Sequence, residues 1–214
     1  MICVDIEHCH RLSYCNGWKM LRNLSPKLFD PTLQVSRVTV KNQNNMNIVL
    51  TGFMGTGKTA VGRRLAEDFH IPFFEVDAVI AQQAGRSVPE IFASQGEAAF
   101  RTLESRVIED ISRQERSVIA TGGGALIDPK NRENLERNGL LVCLTAKMGT
   151  LLERLKDDVT RPLLAGEALP QRVERLMKER QAIYDLCRIQ VATDGKTIAQ
   201  VAEDIAQAIR PQWS

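Results

Sequence analysis

Ile48-Val49-Leu50-Thr51 runs into Gly52-Phe53-Met54-Gly55-Thr56-Gly57-Lys58-Thr59, and apolar residues then recur at Val61, Leu65 and Phe69. This stretch decides the fold. The first four residues are short, apolar and partly β-branched, which predicts a buried parallel strand. The spacing of four that follows predicts one face of a helix. Between them, G-x-x-x-x-G-K-[ST] is met at every fixed position. Such a loop curls its backbone so that successive N–H groups point at phosphate oxygens, and the helix presents its positive end to the same anion. Gly55, Thr56, Gly57, Lys58, Thr59 and Ala60 are therefore the candidate nucleotide-phosphate residues. Lys58 is expected to reach the β- and γ-phosphates of ATP, and the Thr59 hydroxyl to ligate Mg²⁺.

Outward from the loop, strands and helices alternate. Pro72–Val76 reads as a second strand, Ser117–Thr121 as a third running into Gly122-Gly123-Gly124, Leu140–Leu144 as a fourth and Arg188–Ala192 as a fifth. Ser87-Val88-Pro89-Glu90 carries a capping-box signature, and Ser94-Gln95-Gly96-Glu97 repeats it before a longer helix through Phe100, Leu103, Val107 and Ile111. Helices are further predicted over 131–138, 150–155, 171–184 and, capped by Thr197 with Gln200, up to Ile209. Alternation of this kind predicts an α/β, doubly wound parallel sheet of about five strands with helices on both faces, the P-loop NTPase-like class. Tyr184 and Trp213 suggest nothing beyond packing.

The chain has 214 residues, a formal net charge of +2 and 43% hydrophobic residues, as expected of one globular domain. Near-balanced charge argues against whole-surface attraction to nucleic acid or to an anionic membrane. No apolar run approaches the roughly 20 residues that cross a bilayer. The five cysteines include Cys3, Cys9 and Cys15, whose even spacing matches no closing pair of a zinc site; Cys143, inside an apolar run, reads as a small buried hydrophobe. An odd cysteine count does not form a secreted disulfide framework, so a cytoplasmic setting is the default. Residues 1–45 show no sustained periodicity and no signal-peptide pattern. They are expected to be a loosely docked or disordered extension, or sequence upstream of a natural start at Met46, with the working domain over 46–210.

From about Met46 to Ile209 the chain resembles the shikimate kinase family. The resemblance is carried by the wording of Gly52–Thr59, Asp77 after the second strand, Gly85-Arg86-Ser87, Phe100-Arg101, Gly122-Gly123-Gly124, Arg161-Pro162-Leu163-Leu164, and Arg180 ahead of Tyr184. It implies transfer of a phosphoryl group from ATP, with Mg²⁺, to the 3-hydroxyl of shikimate, by a monomer acting on two small molecules. It also implies residue roles. Arg101 and Arg180 would hold the substrate carboxylate, and planar bidentate donors suit that task. Asp77 would bind ring hydroxyls and accept the proton of the attacking one, while Gly122, Gly123 and Gly124 let backbone approach the ring. Arg161, on a mobile lid, would offset charge on the moving phosphoryl, and Arg154 would stack on adenine. The family commonly has aspartate two residues before the substrate aspartate; this chain has Glu75, carried as a Mg²⁺-site candidate. Two other readings stand beside it: a kinase for another polyol acid such as gluconate, and a nucleotide-binding module without catalysis. Intact Arg101, Arg180 and glycines oppose the first, and intact Lys58, Asp77 and Arg161 oppose the second.

Overall fold

The computed structural model describes residues 45–156 and 168–213. All of these belong to one compact unit, Lys41–Ser214. The expectations placed on 1–44 and on the Arg161 lid lie outside the described residues. Five strands form one sheet, β1 (Asn47–Gly52), β2 (Phe73–Glu75), β3 (Val118–Ala120), β4 (Gly139–Thr145) and β5 (Ile189–Ala192), in the order β2-β3-β1-β4-β5. Every pairing is parallel. The helices are α1 (Lys58–Phe69), α2 (Val76–Ala84), α3 (Val88–Ile111), α4 (Pro129–Asn138), α5 (Met148–Leu155), α6 (Leu169–Tyr184) and α7 (Ile198–Trp213), with a 3-10 turn at Ala125–Ile127.

Helices cover both faces of the sheet, and period-two alternation divides the large apolar strand residues between two cores. Ile48 and Leu50 of β1, with Val118, Val142 and Leu144, pack under α1 and α7 through Val61, Leu65, Val201 and Ile205. Val49, Ile119 and Cys143 face the other way, under α2 to α6, through Ile80, Phe100, Val107, Leu135, Leu151 and Leu176. Each of the fully buried aliphatic side chains contributes about 1.5–3 kcal/mol relative to exposure. At the strand entrances Asn47 is buried but satisfied: its amide donates to Gln114 O at 2.7 Å and its oxygen accepts from Ser117 N and Oγ. That pins the start of β1 beside β3. At the exits, Gly52 turns at φ 126°, and a Cβ there would stand 2.2 Å from Leu144 O, so only glycine lets β1 leave the sheet next to β4.

Two differences from the sequence reading concern the segment between β2 and β3. Val76–Ala84 is a helix that the periodicity did not announce; it is nine residues long and buries only Val76 and Ile80. The second expected capping box is not formed. Ser87 and Glu90 do make a reciprocal box, but α3 then runs on to Ile111 with one non-helical residue, Gly96 (φ 79°, ψ 175°). The Ser94 hydroxyl donates to Glu90 O at 2.6 Å instead of capping a new helix. The box at Thr197 and Gln200 is made in both directions, at 2.9 and 3.2 Å.

Candidate active site

The P-loop sits at the carboxyl end of the central strand, where an open α/β sheet binds its ligand. Gly57 precedes α1 at φ 90° and offers no side-chain cap, and the first turn of α1 holds no acidic residue. The amides that a cap would satisfy are thus left for an anion. Thr56, buried, donates its hydroxyl to Phe53 O at 2.7 Å and holds the loop closed. The Lys58 ammonium folds back over it, donating to Gly52 O and Phe53 O at 2.9 Å each. A cavity of about 760 Å³ opens here, with Gly55, Gly57, Lys58, Thr59 and Ala60 on its wall.

A second cavity, of about 470 Å³, adjoins the first and shares Met54, Asp77, Gly122 and Gly123 with it. Its apolar side is Val88, Phe92 and Phe100; its charged side is Asp77, Arg101, Glu104 and Arg180. The glycine triplet after β3 is what brings those charges close. A Cβ at Gly122 would stand 2.6 Å from Glu104 Oε1 and 3.3 Å from Asp77 Oδ1. At Gly123 it would stand 3.3 Å from Arg180 Nη1, and at Gly124 it would stand 2.8 Å from Arg101 Nη2. Arg180, from α6, is 4% exposed and its guanidinium lies 5.8 Å from the Phe53 ring centroid. Arg101, on α3 beyond the Gly96 kink, pairs with Glu104 at 2.7 Å and with Glu97 at 3.0 Å. Burial works against the Arg101 charge, but Glu104 and Glu97 more than offset it and hold the group above its ordinary value.

Asp77 lies in the first turn of α2 and Glu75 ends β2 opposite Ala120 of β3. Thr59 Oγ1 donates to Glu75 Oε1 at 2.5 Å, and Arg63 stands 3.7 Å from the other carboxylate oxygen. Among the described residues no group of three or more His, Cys, Asp or Glu side chains is arranged to hold a metal. One hydroxyl and one carboxylate, both hard oxygen donors beside a phosphate loop, still fit Mg²⁺, which keeps waters and phosphate oxygens for the rest of its shell. Arg154, from α5, donates to Gly55 O at 3.1 Å and to Thr193 Oγ1 and O at 3.0 and 3.1 Å. It thereby ties the P-loop to the loop after β5, on the nucleotide side. Arg161 lies outside the described residues.

Two residues with a place in the site were not picked out from the sequence. Glu104 is 0% exposed, and its Oε1 has no hydrogen-bond partner. Burial pushes its carboxyl up; Arg101 pulls it down and Asp77 adds to the rise. The signal was its spacing of three from Arg101 on one helix face. Tyr184, read as mere packing, donates its hydroxyl to Gly123 O at 2.5 Å. Nothing in the spacing announced that contact across 61 residues.

The arrangement is a phosphate cradle joined, at Asp77 and the glycines, to a small chamber with two guanidinium groups. A family model described as shikimate kinase matches residues 54–210. The shikimate kinase of Geobacter metallireducens is 42% identical over 159 residues, which is 74% of this chain and 89% of that one. A solved structure, shikimate kinase from Acinetobacter baumannii in complex with shikimate, is 36% identical with a TM-score of 0.76, over 79% of this chain and 95% of its own. A gluconokinase from Sinorhizobium meliloti, 20% identical with a TM-score of 0.53 over 78% of this chain and 93% of its own, shares the fold alone. With sequence and architecture in agreement, the chain belongs to the shikimate kinase family.

Proposed function

We propose that this chain transfers the terminal phosphoryl group of ATP to the 3-hydroxyl of shikimate, giving shikimate 3-phosphate and ADP, a step in aromatic amino acid biosynthesis. The observation that carries the reading is the junction of the two cavities at Asp77, Gly122 and Gly123. Arg101 and Arg180 bind the substrate carboxylate from two helices, which fixes the ring in orientation as well as in place. Asp77 accepts the proton of the 3-hydroxyl as its oxygen attacks the γ-phosphorus and the bond to the β–γ bridging oxygen breaks. Lys58 and the P-loop amides of Gly55, Thr56, Gly57, Thr59 and Ala60 stabilise charge on the phosphates, and Arg154 orders the nucleotide side. Arg161 offsets charge on the transferring group. Thr59 and Glu75 would hold Mg²⁺, which would supply further neutralisation of the phosphates.

In this reading the chemistry belongs to residues 46–210, and the first 45 take no part in it. The enzyme is, in the same reading, a cytoplasmic monomer working on two small molecules, and its near-balanced charge of +2 argues against whole-surface attraction to nucleic acid or an anionic membrane. Among the described residues no helix is long and apolar enough to cross a membrane. ADP release from MgATP tests the reading. Strong stimulation by shikimate and none by gluconate is expected; stimulation by gluconate alone would reassign the substrate chamber.

A further inference from the structure

Tyr184 closes α6 one turn after Arg180, so the two side chains lie on one face of the helix. The Tyr184 ring is 8% exposed and is not among the residues that line the substrate chamber. Its hydroxyl donates to Gly123 O at 2.5 Å, and a Cβ at Gly123 would stand 3.3 Å from Arg180 Nη1, so the bonded glycine packs directly against that guanidinium. Burial pushes the phenol up to about 12, with Arg180 pulling the other way, so the proton that makes the bond to Gly123 O stays on across the working pH range.

The bonded carbonyl belongs to an unusual peptide. Gly123–Gly124 has glycine on both sides, the residue with the widest choice of backbone angles. The one backbone bond across this turn, from Ala125 N to Gly122 O at 3.2 Å, ties its ends and engages neither atom of the central peptide. That peptide is trans and planar, so a carbonyl turned toward Tyr184 directs the Gly124 N–H the opposite way. Loss of the phenol would leave the peptide free to rotate between two glycines. A peptide free to rotate would no longer present one fixed surface to Arg180 Nη1.

We propose that Tyr184 is a positioning residue for the acid substrate, locking the Gly123–Gly124 peptide and the Arg180 guanidinium in one mutual arrangement. It acts through those two groups. The proposal rests on the reading of this chamber as the shikimate site and adds the residue that sets its geometry.

Tyr184→Phe keeps the buried ring and removes only the oxygen. The full-length variant is expected to raise the shikimate KM about tenfold, the worth of one well-placed hydrogen bond, with kcat and the ATP KM changed by less than about twofold. A variant with a lowered melting temperature and an unchanged shikimate KM would overturn the proposal, because a purely structural role lowers stability without that split. The wild-type control separates the two claims. If wild-type protein releases no ADP in response to shikimate, the substrate reading and this proposal fall together; if it does and Tyr184→Phe matches it, only this proposal falls. A second measurement avoids the variant. The chain has two tyrosines, Tyr14 and Tyr184, so in a Tyr14→Phe background a 3-fluorotyrosine label reports on Tyr184 alone. Its ¹⁹F resonance is expected to move as shikimate is added, and a resonance that stays fixed at saturating shikimate would overturn the proposal.

Discussion

Glu104 reaches Arg101 with one carboxylate oxygen and leaves the other buried against Gly122, so Arg101 is the partner that offsets the burial most directly. Glu104→Ala would leave Arg101 without that carboxylate. We expect a stability loss of about 3 kcal/mol, as for other half-broken buried pairs, and weaker shikimate binding with ATP binding retained. Denaturant melts and calorimetry with each ligand check both. Tyr184 carries a pH signature. Its phenol is pushed up to about 12 in the folded chain, against about 10 when unfolded, so its contribution is intact below pH 10 and is lost as pH rises through 12. Two units correspond to roughly 2–3 kcal/mol. Wild-type protein should therefore lose more stability than Tyr184→Phe between pH 10 and 12; parallel curves would deny the burial. At the catalytic loop, Lys58→Ala should cut kcat by at least about a hundredfold while shikimate still binds. Normal turnover in that variant would remove the P-loop from the mechanism.

The kink in α3 is an element-scale device. Gly96 holds φ 79°, a value that L side chains rarely adopt, yet a Cβ there would meet nothing within 4 Å. Gly96→Ala is thus a test of backbone conformation alone. It should cost about 1–2 kcal/mol in stability and, by re-aiming the segment that carries Arg101, raise the shikimate KM. Unchanged melting would mean the helix accommodates alanine by straightening. The same kink shows where sequence reading succeeds and fails. Capping boxes at Ser87 and Thr197 were legible because both partners are local. Ser94-Gln95-Gly96-Glu97 offered the same letters, but the Ser94 hydroxyl turns back to Glu90 O and the chain passes through the Gly96 kink into the segment that packs Phe100 and Val107 in the core. α2 was missed because it buries only two side chains and shows no full apolar face. The strands and the P-loop stood out because each strand is a short apolar run and the loop needs fixed residue types. Glu104 and Tyr184 did not, since their roles rest on contacts between α3, α6 and the β3 exit that no local pattern encodes.

Across the whole molecule, the two cavities meet at residues from β2–α2, the P-loop and the β3 exit, so binding of either substrate should stiffen the same junction. Each ligand at about a hundred times its Kd should add about 2.7 kcal/mol of stability. If the catalytic unit is residues 46–210, a chain begun at Met46 should keep the kcat/KM of the full chain within about threefold, less than one hydrogen bond's worth. A larger loss would give the first 45 residues a part in the site. The phosphoryl group goes, in the proposed reaction, to one hydroxyl of shikimate. The most direct test is to incubate the full chain with MgATP and shikimate and identify the product by ³¹P and ¹H NMR. The expected product is a phosphate ester whose phosphorus couples to the proton on C3, formed in equal amount with ADP. Inorganic phosphate in place of the ester, or an ester on another hydroxyl, would contradict it.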